Sequence, residues 1–140
     1  FFYQYGPFEH PARLVPDIIR ALLSGARPKT SSGEQVRDFL HIADVGSAVA
    51  SAALSTVEGA VNIGSGKPVT VKHMVQTIAD LCDAPDAVDF GALVQRPGDP
   101  PHIVSNNALL SSTGWTPASG LESGLAESID WWRKNPTNGR

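Results

Sequence analysis

Three arginines and one aspartate lie in or beside predicted loops of this sequence, where their side chains could bind an anion. They are Arg13, Arg37, Arg96 and Asp99. A guanidinium group donates paired hydrogen bonds that match the oxygens of a phosphate, so three arginines meeting at one site would fit a diphosphate. A carboxylate beside them could accept hydrogen bonds from ribose hydroxyls. The sequence alone does not show whether these four side chains meet.

Arg37 is the most informative of the four because an aromatic residue follows it at strand spacing. Arg37 and Phe39 project from the same face of a predicted strand, which suits an anionic ligand that carries a flat ring. In the alternative, Arg37 pairs with Asp38 or Asp44 on a solvated face. A broader alternative is a plain α/β domain whose arginines are surface charges.

Other residues with potential chemistry give weaker signals. The run 64–67, Gly-Ser-Gly-Lys, resembles the end of a phosphate-binding loop but lacks the earlier glycine and the following Ser or Thr, so a turn is expected. Cys82 is predicted to be a buried structural thiol on the apolar side of a helix. The histidines show no metal-ligand spacing, so no metal site is predicted and they are expected at the surface or in turns. They are His10, His41, His73 and His102.

The composition predicts one ordinary globular domain. The 140 residues are 41% hydrophobic and 18% charged. A net charge of −3, a pI near 5.7 and scattered basic residues argue against nucleic-acid binding. No apolar run approaches the ~20 residues of a membrane span, so no membrane association is expected. The sequence begins on strand-like residues without Met, and we expect it to be the later part of a longer protein.

The stretch from Gly33 to Val45 must position Arg37, and its pattern changes from strand to helix. Residues from Val36 to Ile42 alternate between two faces, which predicts a strand. From Val45 onward apolar residues recur every three or four positions, which predicts a helix with Asp44 as its N-cap.

Elements on either side complete an α/β pattern. Further strands are predicted at 1–5, 29–32, 60–63 and 88–90. Further helices are predicted at 14–23, 71–81, 107–113 and 120–132. Thr70 is the expected N-cap of the helix at 71–81. Ser119 is expected to form a capping box with Glu122 at the start of the helix at 120–132. The stretch 95–101 contains three prolines and a glycine, so it is predicted to be a loop.

Six short motifs follow one another through nearly the whole chain. They are Tyr5-Gly6-Pro7, Arg13-Leu14-Val15-Pro16, the stretch 33–44, the stretch 61–66, Arg96-Pro97-Gly98-Asp99 and Gly114-Trp115-Thr116-Pro117. In this order they resemble the C-terminal half of the extended short-chain dehydrogenase/reductase family, the NAD(P)-dependent nucleotide-sugar epimerases, dehydratases and reductases. The resemblance implies an α/β fold, namely the C-terminal part of an NAD(P)-binding Rossmann-type enzyme with its smaller substrate-binding lobe.

The resemblance also implies roles for individual residues. Arg37 and Arg96 match arginines that hold the diphosphate of a nucleotide sugar, and Asp99 matches a residue at the ribose. Arg13 and Leu14 match the segment that lies against the phosphate and the nucleobase.

Further positions are matched with some departures from the family. Lys29 and Thr30 fall where the family has a strand beside the base. Phe39 occupies a position that is often Tyr or Trp, which implies packing against the nucleotide without a hydroxyl contact. Tyr3 and Tyr5 are the expected cofactor contacts. Tyr3 stands where many members carry an Asn that touches the substrate, and this departure favours the 4-ketosugar reductases over the epimerases.

The family's remaining parts are expected outside this sequence. Its glycine-rich dinucleotide loop and its Tyr-x-x-x-Lys catalytic pair belong to the first half, and no Tyr here is followed four positions later by Lys. The catalytic residues and most of the NAD or NADP site are therefore expected in that half, and the 140 residues alone are predicted to be inactive. Residues 1–6 and 44–66 are expected to complete the Rossmann sheet, and 7–43 and 67–140 to form the substrate-binding lobe.

These implications predict the nucleotide-sugar binding portion of an NAD(P)-dependent epimerase/dehydratase or 4-ketosugar reductase. The predicted ligand is a nucleotide-diphosphate sugar, and the whole protein is expected to be a cytoplasmic homodimer. The alternative is a non-catalytic nucleotide-sugar binding or regulatory module that lacks the cofactor half. The base, the sugar and the choice between NAD and NADP stay open at this level.

Overall fold

The structure, a computed structural model, describes residues 1–136, which form a mixed α/β fold of short strands and longer helices. The strands are β1 (Tyr3–Tyr5), β2 (Val36–Arg37), β3 (Phe39–His41), β4 (Val69–Thr70) and β5 (His102–Ile103). The helices are α1 (Leu14–Leu23), α2 (Ile42–Leu54), α3 (Val71–Leu81), α4 (Ala108–Ser111) and α5 (Leu121–Lys134). The predicted α/β fold class is confirmed.

The stretch that contains Arg37 connects two small sheets. Strand β3 pairs in parallel with β1, with Tyr3 opposite Phe39. Strand β2 lies between β4, to which it is antiparallel, and β5, to which it is parallel. Asp38 separates β2 from β3, and its carbonyl accepts a hydrogen bond from the backbone N–H of Tyr3. The cleft described below therefore borders both sheets.

Two apolar clusters hold these elements together. The larger one joins α1, α3 and α5 to the β1–β3 sheet, and it includes Ile19, Met74, Ile78, Leu125 and Trp132, each at most 1% exposed. Burying each such side chain contributes about 1.5–3 kcal/mol. The smaller cluster lies on the other face of β3 and contains Leu40, Val45, Ala48, Ile63, Leu110 and Trp115. The opposite placement of Phe39 and Leu40 follows the predicted alternation.

Several local predictions are confirmed. Helices α1 and α3 occupy the predicted ranges, and the Thr70 hydroxyl accepts a hydrogen bond from the backbone N–H of His73 as the N-cap of α3. The stretch 95–101 is a loop, and a short helix ends before Gly114, whose φ of 83° suits glycine. Cys82 packs against the larger cluster, but it is a half-buried free thiol where a buried one was predicted.

The predicted N-caps Asp44 and Ser119 are wrong. His41 occupies the N-cap position of α2 and Gly120 that of α5. The Asp44 carboxylate is buried and accepts hydrogen bonds from the backbone N–H groups of Ala118 at 2.9 Å and Ser119 at 3.0 Å. It therefore ties α2 to the segment before α5, and local sequence patterns do not report such long-range contacts.

Three further predictions need correction. The run 60–63 is irregular, although the Ile63 carbonyl accepts a hydrogen bond from the backbone of Phe2. The short strands predicted at 29–32 and 88–90 amount to one bridge between Lys29 and Asp89. His41 is 2% exposed, contrary to the surface or turn position expected for it, because it packs edge-on against Tyr5 in the interior.

Within residues 1–136, no helix is long and apolar enough to cross a membrane. The same part of the chain contains no group of three or more His, Cys, Asp or Glu side chains placed to hold a metal ion. Residues 137–140 of the predicted substrate-binding lobe lie outside the described range.

Candidate functional site

Two adjoining cavities, of about 300 Å³ and about 420 Å³, lie beside the N-terminal end of α1. The first is lined by Tyr3, Gln4, Glu9, Arg13, Leu14, Val15, Gln35, Arg37, Phe39, Val71, Arg96 and Asp99. The second shares five of these residues and adds, among others, Asp17, Lys29, Thr30 and Leu93. We call the two cavities together the cleft. The shared residues, which mark its middle, are Leu14, Gln35, Val71, Arg96 and Asp99.

All eight residues predicted to contact substrate line the cleft. Six of them line the first cavity, namely Arg13, Leu14, Arg37, Phe39, Arg96 and Asp99. Lys29 and Thr30 line the second cavity. Residues that are up to 86 positions apart in the sequence, from Arg13 to Asp99, thus meet at one site.

The two predicted cofactor contacts lie in different places. Tyr3 lines the cleft. Tyr5 is 3% exposed and borders a separate cavity of about 70 Å³, and its hydroxyl donates a long hydrogen bond of 3.5 Å to the Leu121 carbonyl. Burial, with a smaller contribution from Asp44, raises the pKa of Tyr5 to about 12. Tyr5 is thus a neutral side chain of the interior.

Arg37 is held in the wall of the cleft by three hydrogen bonds. Its Nη1 donates to the carbonyls of Val36 at 2.8 Å and Pro100 at 2.9 Å, and its Nη2 donates to Asp99 Oδ1 at 2.6 Å. The guanidinium also lies over the ring of Tyr3, 5.5 Å from the centroid. The alternative of a solvated pair with Asp38 or Asp44 is wrong, because the Arg37 side chain is only 5% exposed and pairs with Asp99.

These contacts leave part of the Arg37 guanidinium available. Arginine has five N–H donors, and three of them are used. Within residues 1–136, the Nε–H and one Nη2–H have no acceptor. Two donors are what a bidentate contact with a phosphate requires.

Arg13 and Arg96 add exposed positive charge to the same cleft. Arg13 occupies the N-cap position of α1 with 59% of its side chain exposed, and its Nε lies 3.9 Å from Glu9 Oε1. Arg96 is exposed in the loop 95–101 and makes no ion pair with any residue in the described range. Both can turn toward a bound anion at little cost in existing contacts.

The first turn of α1 contributes a further electrostatic effect. Within the described residues no side chain caps this helix, and Leu14 and Val15, its first two residues, line the cleft. The N–H groups of Leu14 and Val15 have no partner inside the helix and form the positive end of its dipole. Pro16 has no N–H, and the Asp17 N–H donates to the Arg13 carbonyl at 2.9 Å, so this helix end offers two N–H groups. The N-terminal end of α1 therefore favours an anion at the position where the arginines gather.

Aromatic side chains form one wall beside these charges. The Phe39 and Tyr3 rings are 5.9 Å apart at an angle of 57°. Phe39 is 9% exposed and belongs to the larger apolar cluster, so its position is fixed by packing. The cleft thus combines fixed aromatic surface with positive charge.

Asp38 anchors the backbone behind Arg37. Its carboxylate accepts hydrogen bonds from the backbone N–H groups of Ser65, Gly66 and Ser105 and from both serine hydroxyls. Burial alone would raise the pKa of Asp38, but these hydrogen bonds outweigh it and hold the pKa below its ordinary value. A Cβ on Gly64 would lie 2.7 Å from Asp38 Oδ2, so only glycine fits there.

Two residues of the cleft were not found from the sequence, and each carries a buried acceptor without a partner. Glu9 Oε2 and Gln35 Oε1 are inaccessible to water and accept no hydrogen bond from residues 1–136. Gln35 lies one residue before the predicted strand and two before Arg37, so extending the period of two could have placed it on the same face. Glu9 lies in a predicted loop, and no pattern indicates its direction.

Burial has a large effect on the Glu9 carboxyl. It raises the pKa of Glu9 to about 7, although Arg13 and the nearby backbone N–H of Gly6 act in the opposite direction. The carboxyl group therefore changes its charge near neutral pH, at the edge of a site that otherwise carries positive charge.

Comparisons with known proteins indicate which family this sequence resembles. Residues 1–64 match the sequence model of the NAD dependent epimerase/dehydratase family. The dTDP-glucose 4,6-dehydratase of Xanthomonas campestris pv. campestris is 31% identical over 95% of this chain, which spans 41% of that protein.

Solved structures show the same fold. The dTDP-glucose 4,6-dehydratase of Bacillus anthracis, solved in complex with NAD, superposes on 99% of this chain with a TM-score of 0.86 and 26% identity. A UDP-N-acetylglucosamine 4-epimerase of Methanobrevibacter ruminantium, in complex with UDP-N-acetylmuramic acid, covers 96% with a TM-score of 0.87 and 27% identity. The chain spans 44% of each of these two structures. By sequence and by fold, the chain is similar to NAD-dependent epimerases and dehydratases, and the predicted resemblance to the extended short-chain dehydrogenase/reductase family is confirmed.

Proposed function

We propose that the cleft binds the diphosphate of a nucleotide-diphosphate sugar. The observation that carries this proposal is the meeting of Arg13, Arg37 and Arg96 at the uncapped N-terminal end of α1. A diphosphate bears adjacent negative charges whose oxygens accept the hydrogen bonds that these groups donate. Asp99 opposes a purely anionic ligand, but a carboxylate suits a ligand that also carries hydroxyl groups.

The two cavities allow us to propose which end of the cleft receives the base and which receives the sugar. We place the base beside Lys29 and Thr30 in the second cavity, as the family resemblance implies, and the diphosphate at the arginines. The first cavity then receives the sugar, next to Tyr3 and Gln4. The relatives named above act on dTDP-glucose or bind a UDP-sugar, which supports a ligand of this class.

We propose further that the whole protein is an NAD(P)-dependent nucleotide-sugar epimerase, dehydratase or 4-ketosugar reductase. A nicotinamide dinucleotide, when bound, would accept or supply a hydride at the sugar. We expect the dinucleotide to be bound mainly by residues outside these 140, since Tyr5 is buried away from the cleft and the sequence contains no glycine-rich dinucleotide loop. The contribution of these 140 residues is to bind the diphosphate and to hold the sugar in place.

We also propose that the chain divides between two lobes of the whole protein. We assign residues 1–6 and 44–66 to the Rossmann sheet, and 7–43 and 67–140 to the substrate-binding lobe. The parallel pairing of β1 with β3 suggests that 39–41 join the first group. A homodimeric, cytoplasmic protein is what the family resemblance implies.

A non-catalytic nucleotide-sugar binding module is the second candidate. The observation that favours it is that the residues lining the cleft could bind a nucleotide sugar without any Tyr-x-x-x-Lys catalytic pair. Both candidates require ligand binding, but only the enzyme requires that a longer protein supply this pair and turn over the nucleotide sugar with NAD or NADP.

Calorimetric titration tests the proposed binding. We expect the protein to bind at least one of UDP, dTDP and GDP, and to bind the matching nucleoside at least about tenfold more weakly, because the diphosphate supplies the charge-assisted hydrogen bonds. Equal affinity for nucleoside and nucleoside diphosphate, or binding of neither, would rule the proposal out.

A further inference from the structure

The loop that carries Arg96 is attached to the rest of the fold by one side chain, that of Asp99. Every residue from 91 to 101 is exposed except Asp99. Asp99 Oδ1 accepts the 2.6 Å hydrogen bond from Arg37 Nη2. Within residues 1–136, the stretch 94–98 makes no hydrogen bond to any residue outside the loop. The contact between Arg37 and Asp99 therefore decides where this loop lies against β2.

A tight turn links the position of Asp99 to that of Arg96. The backbone N–H of Asp99 donates to the Arg96 carbonyl at 3.2 Å, and Pro97 and Gly98 occupy the two central positions. Proline fixes its own φ at about −65°, and Gly98 has a φ of 77°, which is the pattern of a type II turn. Because the residue types favour this turn, we expect Arg96 to move together with Asp99.

Arg37 is the more rigid member of the pair. It lies on β2, between β4 and β5, and its side chain is buried. Its Nη1 also donates to the carbonyls of Val36 and Pro100, and these two contacts do not depend on the Asp99 side chain. Loss of the pair should therefore release the exposed loop more than it displaces Arg37.

The pair leaves the second oxygen of Asp99 for a ligand. Within the described part of the chain Oδ2 accepts no hydrogen bond, and the side chain is 26% exposed. The ribose contact that the family resemblance implies needs only one oxygen. Holding Arg37 and binding a ribose hydroxyl group are thus two compatible roles, and they can be tested separately.

We propose that Asp99 is a positioning residue: by pairing with Arg37, it holds the turn 96–99 so that Arg37 and Arg96 contact the same diphosphate. This inference rests on the proposed diphosphate binding and goes beyond it, because Asp99 then acts through Arg96 and not through the ribose alone. Ordering a mobile backbone segment upon binding costs free energy. A turn that is already held in place avoids that cost.

The test separates the charge of Asp99 from its hydrogen bond to Arg37. Asp99→Asn and Asp99→Ala remove the same charge, but only asparagine keeps an oxygen that can accept the hydrogen bond from Arg37 Nη2. Calorimetry measures the affinities for UDP, dTDP and GDP and for the analogue of each that lacks the ribose hydroxyl groups.

The control pair is Asp130→Asn and Asp130→Ala, because Asp130 is exposed on α5 and does not line the cleft. A circular dichroism melt of each variant establishes that it is folded. If Asp99→Ala does not fold, Asp99→Ser takes its place, because the serine hydroxyl ends one bond short of the position of Oδ1.

We expect Asp99→Ala to bind the analogues without ribose hydroxyl groups at least about fivefold more weakly than Asp99→Asn binds them. When Arg96→Ala is also present, the same two substitutions should differ by less than about twofold, because the turn then has no arginine to position. The two Asp130 variants should also differ by less than about twofold.

Three results would overturn the inference. A difference that disappears with the analogues would show that Asp99 acts on the ribose alone. A difference that persists in the Arg96→Ala background would show that Asp99 acts through Arg37 or through the fold. Equal affinities of Asp99→Asn and Asp99→Ala would show that the pair does not support binding. In all three cases the unchanged protein still binds a nucleoside diphosphate, whereas binding of none of these ligands would refute the proposed function and the inference with it.

Discussion

Replacing Arg96 with alanine should weaken nucleotide binding while leaving the fold almost unchanged. Arg96 is exposed, lies in a loop and forms no ion pair within residues 1–136, so its removal deletes no structural contact. Substitutions at such surface positions usually change the free energy of unfolding by less than about 0.5 kcal/mol. Any large effect of the variant must therefore come from the ligand.

The expected loss of affinity follows from one charge-assisted contact. A hydrogen bond to a charged group contributes about 1.5–3 kcal/mol, which corresponds to about a ten- to hundredfold rise in Kd. Calorimetric titration with a nucleoside diphosphate measures this rise, and a thermal melt measures stability. Arg133→Ala is the matched control, because Arg133 is 48% exposed on α5, away from the cleft residues.

Arg37→Ala should behave differently and so completes the comparison. It removes a donor to a diphosphate and also breaks the buried contacts with Asp99 and with the carbonyls of Val36 and Pro100. We expect it to lower both the affinity and the free energy of unfolding, the latter by about 2–4 kcal/mol. The reasoning is refuted if Arg96→Ala binds as well as the unchanged protein, or if Arg133→Ala loses as much affinity.

Three other substitutions or assays test separate parts of the structure. Asp38→Ala should lower the free energy of unfolding by more than about 3 kcal/mol, because it leaves three backbone N–H groups without their acceptor. Asp38→Asn should lower it by less. A urea titration measures both, and an unchanged unfolding midpoint for both variants would contradict the anchoring role. The raised pKa of Glu9 means that ionisation destabilises the folded protein, a penalty absent below about pH 4.5 and complete above about pH 7. Glu9→Gln should therefore have a free energy of unfolding about 2–4 kcal/mol higher than the unchanged protein at pH 8 and little higher at pH 4. Glu34→Gln, at an exposed position, should show no such difference. Chemical unfolding at the two pH values checks this, and an equal gain at both would disprove it. The 140 residues alone should reduce or oxidise no nucleotide sugar with NAD or NADP, as followed by absorbance of the reduced cofactor, and turnover that copurifies with the chain would contradict the proposed division of roles.

The helices were predictable wherever their signal is local. Helices α1 and α3 follow from apolar spacing, and Thr70 caps α3 because its hydroxyl needs only a backbone N–H three residues later. Asp44 carries the same kind of signal, but its carboxylate binds backbone groups 74 and 75 residues away. Capping rules rank residue types, and they do not detect a distant competitor for the same side chain.

The sequence predicted which residues line the cleft better than it predicted how they are arranged. The alternation around Arg37 indicates that it shares a face with Phe39, and the family resemblance implies the other six substrate contacts. The structure adds that Arg37 is buried and already paired with Asp99. This pairing depends on how the loop 95–101 folds against β2, because the two residues are 62 positions apart in the sequence. The unpaired acceptor of Glu9 could not be seen in the sequence, because burial of a loop side chain depends on everything packed around it.

A crystal structure of the protein with a bound nucleoside diphosphate decides whether the cleft is a diphosphate site. We expect phosphate oxygens within about 3.2 Å of guanidinium nitrogens of Arg37 and Arg96, and the base on the side of Lys29 and Thr30. A nucleotide bound outside the cleft, for example in the cavity of about 520 Å³ beside Arg20 and Trp132, would contradict the proposal.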